Sequence, residues 1–392
     1  MADDGRRIRL ATLHSVRDIA ARDWDALACP DPGRANPFVR HAFLAALENS
    51  GSVGEGTSWR PAPLALQVDG ELAGVAPLYV KHDSAGEYVF DHGWADAFER
   101  AGGCYFPKLL VAAPFTPATG PRLLASTAQA RAQLASALAA LCVQSRASSA
   151  HVNFVEAADE AALEEAGFLK RDGVQYHWVN RGYATYEDFL GAFASRKRKA
   201  MRRERREASM GLSFARISGC DARPADWDAM WAFYQDTGAR KWGRPYLTRA
   251  FFDEIAETMR EDVVLVQARD GDRIIAGALN FIGGDTLYGR YWGALEQRSF
   301  LHFEVCYHQS IEFAIERGLA RVEAGAQGEH KIARGYVPVV TRSMHFIADA
   351  GFKAAVGRFL DAERRAIAEA VSAMANETPY RADCAPAPDH AL

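Results

Sequence analysis

The sequence lacks the features that mark disulfide-rich, metal-binding, membrane-spanning and secreted proteins. Its six cysteines have no paired spacing, which argues against a disulfide framework and a thiolate zinc site, and the His-x₃-His spacing of a helical metal site is missing. No apolar run reaches the length of a membrane span, and the charged first ten residues do not read as a signal peptide. A net charge of -4 gives no overall attraction to nucleic acid or membrane. We therefore predict a cytoplasmic protein with no metal and no integral membrane insertion.

The composition is that of an ordinary globular protein. Of the 392 residues, 49% are hydrophobic and 24% are charged, and the chain is long enough for two domains that each bury a core. Strand patterns alternate with helix patterns, which is typical of a mixed α/β sheet. The pairs Asp69-Gly70 and Asp270-Gly271 each separate two apolar strands and predict tight hairpins, because glycine tolerates a positive φ. The sequence predicts an α/β (α+β) fold with mixed sheets.

The two halves of the chain repeat one pattern. Gly335 lies 168 positions after Gly167, and His345 lies 168 positions after His177. We interpret this pseudo-repeat as two units of one design, and such pairs commonly bind a ligand in the cleft between them. The predicted divisions are residues 1–182 for the first unit, 183–350 for the second, 351–375 for a C-terminal helix and 376–392 for a disordered tail.

The first half carries an insertion. Gly70 and Gly167 are 97 positions apart, whereas Gly271 and Gly335 are only 64 apart, so the first unit has 33 extra residues, which we assign to residues 84–122. This region is rich in aromatic, acidic and proline residues, and loops on a rigid scaffold often carry binding residues. It can also be a packed loop that closes one end of the sheet. The substrate-binding residues predicted in it are Glu87, Tyr88, Asp91, His92, Trp94, Lys108, Thr119 and Arg122.

A strongly basic helix is predicted after residue 195. Eight cations and one acid occur in the eleven residues from Arg196 to Arg206. Arginine binds phosphate with two parallel hydrogen bonds, so this helix can hold a tRNA backbone or a lipid-linked pyrophosphate. Alternatively, its cations pair with acidic groups of the protein. The predicted anion-binding residues are Arg196, Lys197, Arg198, Lys199, Arg202, Arg203, Arg205 and Arg206.

Five stretches carry a resemblance to a known family. They are Glu87–Trp94, Phe115–Arg122, Ser195–Arg206, Tyr234–Phe252 and Tyr291–Tyr336, within residues 36–360. Together they resemble the FemABX peptidyltransferases, and in particular the FemAB-like family of peptidoglycan biosynthesis/recognition. The resemblance implies a tandem acyl-CoA N-acyltransferase (GNAT) fold. FemABX members move an amino acid from aminoacyl-tRNA to an amine of a peptidoglycan precursor, while other proteins with this fold use acyl-CoA.

The resemblance places further candidates beside the groove where the central strands separate. Acyl transfer needs an unprotonated amine, and Glu304 at the start of a helix can take the proton or can simply cap the helix. His330 and Lys331, in a glycine-rich loop, can accept a proton and stabilise an oxyanion. The predicted catalytic residues are Glu304, His302 and His330. The predicted substrate-binding residues are Lys241, Trp242, Arg290, Tyr291, Trp292, Gln327, Glu329 and Lys331.

One departure concerns coenzyme A. GNAT enzymes usually hold its pyrophosphate on a Gln/Arg-x-x-Gly-x-Gly/Ala loop at a helix start, whereas the corresponding stretch here, Gln297–His302, contains no glycine. The other candidate loop, Thr119–Arg122, contains Pro121, which has no N–H to donate. Both loops weaken the case for acyl-CoA.

Three hypotheses for function follow. The first is an aminoacyl- or acyltransferase that uses aminoacyl-tRNA or acyl-CoA as a co-substrate, with no tightly bound cofactor, and acts on the amine of a lipid-linked cell-wall precursor. The second is an acyl-CoA-dependent N-acyltransferase of a small-molecule amine. The third is a non-catalytic module that recognises a cell-wall precursor.

Overall fold

The computed structural model describes residues 7–241, 245–326 and 328–384. The strands in this part of the chain are β1 (Ile8–Thr12), β2 (Trp59–Pro61), β3 (Leu64–Val68), β4 (Glu71–Ala76), β5 (Leu78–Lys81), β6 (Lys108–Val111), β7 (Leu124–Ala125), β8 (Ser149–Val152), β9 (Leu169–Val179), β10 (Ser213–Ser218), β11 (Val263–Asp270), β12 (Arg273–Gly283), β13 (Thr286–Ala294), β14 (Arg321–Glu323) and β15 (Val337–Ile347).

The helices alternate with these strands. They are α1 (Ala21–Ala28), α2 (His41–Asn49), α3 (His92–Arg100), α4 (Ala128–Gln144), α5 (Ala157–Glu165), α6 (Tyr186–Gly191), α7 (Ser195–Ala208), α8 (Pro224–Lys241), α9 (Arg249–Thr258), α10 (Leu301–Phe303), α11 (Gln309–Glu316) and α12 (Ala350–Ala375). A π-helical turn, Glu304–His308, joins α10 to α11, and a 3₁₀ helix, Glu329–Arg334, precedes β15.

Unit 1 contains the described residues up to Gly173 together with Thr341–Glu369. Strands β1, β3, β4 and β7 form an antiparallel sheet, and a second sheet has the order β15-β8-β6-β5-β2. Within the second sheet, β6 and β8 are parallel, and β15 pairs with β8 in the antiparallel sense. Helix α4 is capped by Thr127, and its Leu134 and Leu138 share a core with β6.

Unit 2 contains Val174–Val340 together with the described residues from Ala370 onward. Its sheet has the order β10-β11-β12-β13-β14-β9. Here β13 and β14 are parallel, and β9 pairs with β14 in the antiparallel sense. The core includes Trp178, Phe189, Ile311 and Tyr336. The tandem mixed-sheet fold is therefore confirmed.

The units are not contiguous in sequence, in contrast to the predicted division into 1–182 and 183–350. Each unit has a parallel strand pair, β6 with β8 in unit 1 and β13 with β14 in unit 2. A strand from the other half of the chain pairs beside it: the end of β15 pairs with β8 in unit 1, and the end of β9 pairs with β14 in unit 2. Gly167 and Gly335, which precede these two strands, both have a φ of 86°. The spacing of 168 therefore relates two equivalent turns in which a glycine has a positive φ, but it does not show which sheet the following strand joins.

Other elements differ from the sequence prediction. Residues 84–122 are not one inserted loop, because they contain helix α3 and the buried strand β6. The basic helix predicted after residue 195 is α7, which begins at Ser195 and is separate from the preceding helix α6. The tail was predicted to be disordered from residue 376, but Tyr380 is buried and its hydroxyl donates to the Gly335 carbonyl at 2.8 Å. The prediction for residues 385–392 lies outside the described residues.

Candidate functional site

Strand β13 has an open edge in its second half. Strand β14 pairs only with Thr286–Tyr288, while β13 continues to Ala294. On its other side, the register with β12 shifts between Leu279 and Asn280, so that Arg290 is an extra residue in the ladder. Such a bulge bends a strand and re-aims its side chains. The strands consequently separate beside Arg290 and leave room for a ligand.

Two neighbouring cavities occupy this space, and both are lined by Trp292 and His302. The smaller has a volume of about 80 Å³, and the larger about 420 Å³. Asn280 lines the smaller cavity, is 1% exposed, and donates through Nδ2 to the Val264 carbonyl. Its Oδ1 accepts no hydrogen bond within the described part of the chain. The cavity therefore offers a fixed acceptor for a ligand group.

The predicted residues Arg290, Tyr291 and Trp292 all line the smaller cavity. The ring of His302 packs on Trp292 with a centroid distance of 4.3 Å. Tyr307, which also lines this cavity, shares a hydrogen bond of 2.9 Å between its hydroxyl and Nε2 of His330. The structure thus brings the two candidate catalytic histidines to one place, with ring centroids 6.1 Å apart.

Lys331 is linked to this cavity through the backbone of Gly325. Its side chain is buried, and Nζ donates to the carbonyl of Gly325 at 2.7 Å, next to the cavity residue Ala324. Burial lowers the pKa of Lys331 to about 8. The ammonium therefore stays charged at neutral pH but gives up its proton more easily than an exposed lysine. Glu329 is exposed, and Gln327 lies outside the described residues.

Glu304, the predicted general base, is held in an ion pair. It is 1% exposed at the start of the π-helical turn, and its Oε1 accepts from Nη2 of Arg205 at 2.9 Å and from Nε2 of Gln309 at 2.7 Å. Its Oε2 accepts from Nε of Arg205 at 3.1 Å. A carboxylate with these donors is poorly placed to take a proton from a substrate, so the geometry favours a positioning role. The catalytic role of Glu304 remains a prediction.

A buried polar network beside Glu304 was missed by the sequence analysis. The hydroxyl of Tyr186 lies 2.7 Å from Nδ1 of His308, and Nε2 of His308 lies 2.9 Å from Oε1 of Glu204. Arg334 donates to both oxygens of Glu204, at 2.8 and 2.6 Å. The π-helical turn carries His308 at its end, and π turns are frequent at functional sites. Glu204, the single acid among residues 196–206, was the available signal.

The cations of helix α7 fall into two groups: some contact other groups of the protein, and others are exposed to solvent. Arg205 pairs with Glu304 and Glu312 and stacks over the ring of Tyr186 at 4.3 Å. Arg202 pairs with Glu187, Arg203 pairs with Glu207, and Arg198 reaches the Gly191 carbonyl. Four cations are exposed and have no ion pair within the described residues, namely Arg196, Lys197, Lys199 and Arg206. The exposed cations can meet an anion, whereas Arg205 belongs to the fold.

Unit 1 holds a second cluster, centred on Lys108. The Lys108 ammonium is fully buried and donates to Oγ of Ser84 at 2.9 Å, to Oε2 of Glu87 at 2.8 Å, and to Oδ2 of Asp91. Burial raises the pKa of Glu87 to about 7. Burial also acts to raise the pKa of Asp91, but the charge and hydrogen bond of Lys108, together with His151 and Ser84, outweigh it and hold that pKa well below its usual range. Three residues predicted from the sequence therefore meet here.

Hydrogen bonds extend this cluster to two buried histidines. The Tyr105 hydroxyl donates to Oδ2 of Asp91 at 2.7 Å and lies 3.4 Å from Nε2 of His151. Nδ1 of His151 lies 2.6 Å from Nδ1 of His345. Burial, aided by the charge of Lys108, lowers the pKa of His151 to about 3, so its ring is neutral. Trp94 covers His345 edge-on, with a centroid distance of 4.9 Å.

The other residues predicted in unit 1 are dispersed. Tyr88 has a φ of 61°, and the exposed His92 stacks with Phe90. Arg122 is 0% exposed and donates to backbone carbonyls, including that of Asn153 at 2.9 Å. The Thr119 carbonyl accepts from the buried Asn36. Thr119 and Arg122 therefore hold the chain in place, and their binding role stays a prediction.

Two of the predicted substrate-binding side chains, those of Lys241 and Trp242, lie outside the described residues. Among residues 7–241, 245–326 and 328–384, no group of three or more His, Cys, Asp or Glu side chains is placed to hold a metal ion, and no helix is both long and apolar enough to cross a membrane.

The loop that replaces the coenzyme A motif has an unusual backbone. Phe300 occupies the position of the first motif glycine and has a φ of 60°, in the left-handed region. A bulky residue there is strained, and it puts a ring where the glycine would let a phosphate approach the backbone. The structure thus keeps the turn of the motif but not its open backbone.

The fold is similar to that of several solved structures. Among solved structures the chain is similar to FemX, with 14% identity, a TM-score of 0.54, and coverage of 88% of this chain and 99% of FemX. A conserved protein of unknown function from Bacteroides thetaiotaomicron gives 11% identity, a TM-score of 0.50, and coverage of 84% and 98%. A tandem GNAT protein from the clavulanic acid biosynthesis pathway gives 12% identity, a TM-score of 0.47, and coverage of 88% and 99%. No curated protein matches the sequence.

Identities this low establish the fold alone, which this chain shares with FemX. The sequence profile of the FemAB-like family, described as peptidoglycan biosynthesis/recognition, matches residues 15–382. The chain belongs to this family.

Proposed function

We propose that the protein transfers an activated acyl group, first of all the aminoacyl group of an aminoacyl-tRNA, to an amine of a cell-wall precursor in the cytoplasm. The observation that carries the proposal is the buried ammonium of Lys331, held by the carbonyl of Gly325, which follows the cavity residue Ala324. Asn280 lines the same cavity, and its Oδ1 has no hydrogen-bond partner among the described residues. Membership of the FemAB-like family supports the link to peptidoglycan.

Lys331 would stabilise the charge that develops during transfer. The amine nitrogen attacks the ester carbonyl carbon, an N–C bond forms, and the C–O bond to the tRNA ribose breaks. Between these events the carbonyl oxygen carries a negative charge, and a preorganised cation in a water-poor site stabilises such an oxyanion. With a pKa of about 8, the Lys331 side chain has this charge at neutral pH.

A route for the proton lies on the same side of the cavity. The attacking amine must lose a proton, and the departing ribose oxygen must gain one. His330 is exposed and is hydrogen-bonded to the hydroxyl of Tyr307, which lines the cavity. His330 could accept the amine proton and pass it to the leaving oxygen or to solvent. His302, packed on Trp292, would shape the opposite wall.

Two features favour an aminoacyl-tRNA over acyl-CoA as the donor. Phe300 crowds the position where GNAT enzymes hold the coenzyme A pyrophosphate. The exposed cations at the start of α7, Arg196 and Lys197, supply contacts for a phosphate backbone. An acyl-CoA-dependent reaction on a small amine is therefore the weaker alternative.

The test is a transfer assay with labelled aminoacyl-tRNA and either a nucleotide-linked or a lipid-linked muropeptide, with acyl-CoA and thiol detection in a parallel arm. We expect Lys331→Met to lower turnover at least about a hundredfold and Lys331→Arg to lower it less, because arginine keeps the charge. Lys353→Met is a matched control, since Nζ of Lys353 also bonds a backbone carbonyl, that of Gly167 at 2.8 Å, but Lys353 belongs to unit 1. Full turnover in Lys331→Met would reject the mechanism. Precursor binding without transfer from any donor would instead identify a recognition module.

A further inference from the structure

Three large apolar side chains are exposed at one end of unit 2. Met210 is 65% exposed, Leu295 is 61% exposed and Phe300 is 36% exposed. Each is a near neighbour in sequence of a residue that packs in one core cluster, which contains Leu212, Ala294 and Leu301. Ser213, three residues after Met210, pairs with Arg269, and the Leu295 amide donates to the Ile275 carbonyl. Arg298, two residues before Phe300, pairs with Asp270, so the three exposed residues lie near the β11–β12 turn at one end of the sheet. We call Met210, Leu295 and Phe300 the apolar rim.

The backbone at Phe300 adds an independent observation. A φ of 60° is unfavourable for a bulky residue, and glycine would adopt it at no steric cost. The ring is 36% exposed and makes a tilted contact with Phe303 at a centroid distance of 6.2 Å. Strained residues of this kind concentrate where they serve a function. An exposed ring at a strained backbone position indicates that the Phe300 side chain contacts a partner outside the unit.

A row of cations leads to this rim. Lys199, Arg203 and Arg206 are exposed on α7 and lie on one face at helical spacing, opposite the buried Met201. The helix ends at Ala208, just before Met210. Arg203 is paired with Glu207, whereas Lys199 and Arg206 have no ion pair within the described residues. The surface therefore combines two unpaired cations with exposed aliphatic and aromatic groups.

We propose that this face docks on the surface of an anionic lipid bilayer, with the apolar rim entering the headgroup region and the α7 cations meeting lipid phosphates. Cationic residues beside exposed apolar groups are the combination that holds proteins in the membrane interface. Resting on the proposed function, docking would present the larger cavity, lined by Leu301 and His302, to an acceptor embedded in the membrane.

The apolar rim is what distinguishes a bilayer from a nucleic acid as the partner. A single-stranded nucleic acid bound without sequence preference uses cations and stacking rings. Met210 and Leu295 cannot stack on bases, but they gain free energy when they enter an apolar phase. A polyanion in solution would need the cations of α7 and would be indifferent to these two side chains.

The experiment uses the full chain with vesicles of equimolar phosphatidylglycerol and phosphatidylcholine, compared with vesicles of phosphatidylcholine alone. Co-sedimentation should occur with the mixed vesicles only and should weaken as salt is added. Leu295→Ser and Met210→Ser should each weaken binding about tenfold. Val143→Ser is the matched control, because Val143 is 59% exposed in unit 1 and away from the rim in sequence. Phe300→Gly should also weaken binding while its thermal unfolding midpoint does not fall, because glycine relieves the left-handed strain.

The outcomes separate this proposal from the proposed function. Binding that survives both serine variants overturns membrane docking, and if Lys199→Glu with Arg206→Glu then abolishes it, the face binds a soluble polyanion such as RNA. Leu295→Ser and Met210→Ser should retain transfer to a soluble, nucleotide-linked acceptor. If the wild-type protein binds vesicles but transfers no acyl group, the proposed function fails and the docking surface stands.

Discussion

Arg205 and Glu304 form a two-point ion pair in which Nη2 lies 2.9 Å from Oε1 and Nε lies 3.1 Å from Oε2. The pair links helix α7 to the π-helical turn, and Glu312 gives Arg205 a second acidic partner at 2.8 Å. Burial acts to lower the pKa of Arg205, but the hydrogen bond and charge of Glu304 outweigh it and raise that pKa. The basic helix is thus anchored by a residue that its charge pattern alone assigns to ligand binding.

This anchor gives a prediction for Glu304. Glu304→Gln leaves Arg205 facing a neutral amide, and removing one partner of a buried ion pair should lower the free energy of unfolding by about 3 kcal/mol. The double variant Glu304→Gln with Arg205→Met should recover part of this loss, because neither side then buries an unpaired charge. Urea titrations measure both. Unchanged stability together with a selective loss of turnover would instead make Glu304 the general base.

The pH dependence of transfer tests Lys331. Burial lowers the pKa of its side chain to about 8, so the ammonium is lost as the pH rises through that value. Turnover under saturating substrate should therefore decline above about pH 8, since the oxyanion then has no cation beside it. In Lys331→Arg the decline should move to higher pH, because arginine remains protonated. A wild-type profile that stays flat through this range would exclude Lys331 as the charged stabiliser.

The stability of unit 1 should depend on the protonation of Glu87. Burial raises its pKa to about 7 from 4.5, so the folded state binds this proton more tightly than the unfolded chain. The stabilisation is complete below pH 4.5 and is lost as the pH rises toward 7. Relative to Glu87→Gln, which stays neutral, the wild type should lose about 3 kcal/mol over this range. Urea titrations of both proteins at several pH values measure the difference, which would be constant if Glu87 were charged throughout.

Lys108 should be indispensable for folding of unit 1. Lys108→Met leaves two buried carboxyl groups without their cation, and we expect a loss of about 3–5 kcal/mol in the free energy of unfolding. Adding Asp91→Asn and Glu87→Gln to this variant should restore much of the loss. Lys353→Met is the control, since Lys353 bonds only a backbone carbonyl among the described residues and should cost much less. A small effect of Lys108→Met would mean that water reaches the cluster.

Local features of the fold could be predicted from the sequence. Both Asp-Gly pairs form the expected hairpin turns, with Gly70 and Gly271 at positive φ, and the repeated glycines Gly167 and Gly335 share one conformation. These features depend on a few adjacent residues, so local preference decides them. The exchange of β9 and β15 depends on which distant strand is the better partner, and the alternation of apolar residues does not encode that.

The candidate site could be predicted only in part. Polar and aromatic residue types pointed to Lys108, Trp292 and His330, and the structure places each in a cluster with other candidates. The arrangement of Arg205 with Glu304 was not accessible, because a cation in a charged run gives no sign of which face of its helix will be buried. Likewise, the π-helical turn that presents His308 has no sequence signature of its own.

The exchanged strands have a consequence for how such a chain can have arisen and how it folds. Two copies of a half-length ancestor that swapped their last strands would form a domain-swapped dimer, and joining them end to end gives the connectivity seen here. In the joined chain each donated strand is tethered close to its acceptor, at a high effective concentration. Two separate copies would assemble less well as the protein is diluted, whereas assembly within the joined chain does not depend on protein concentration. Neither half of the chain, expressed alone, contains every strand of its mixed sheet, because β15 comes from the second half and β9 from the first.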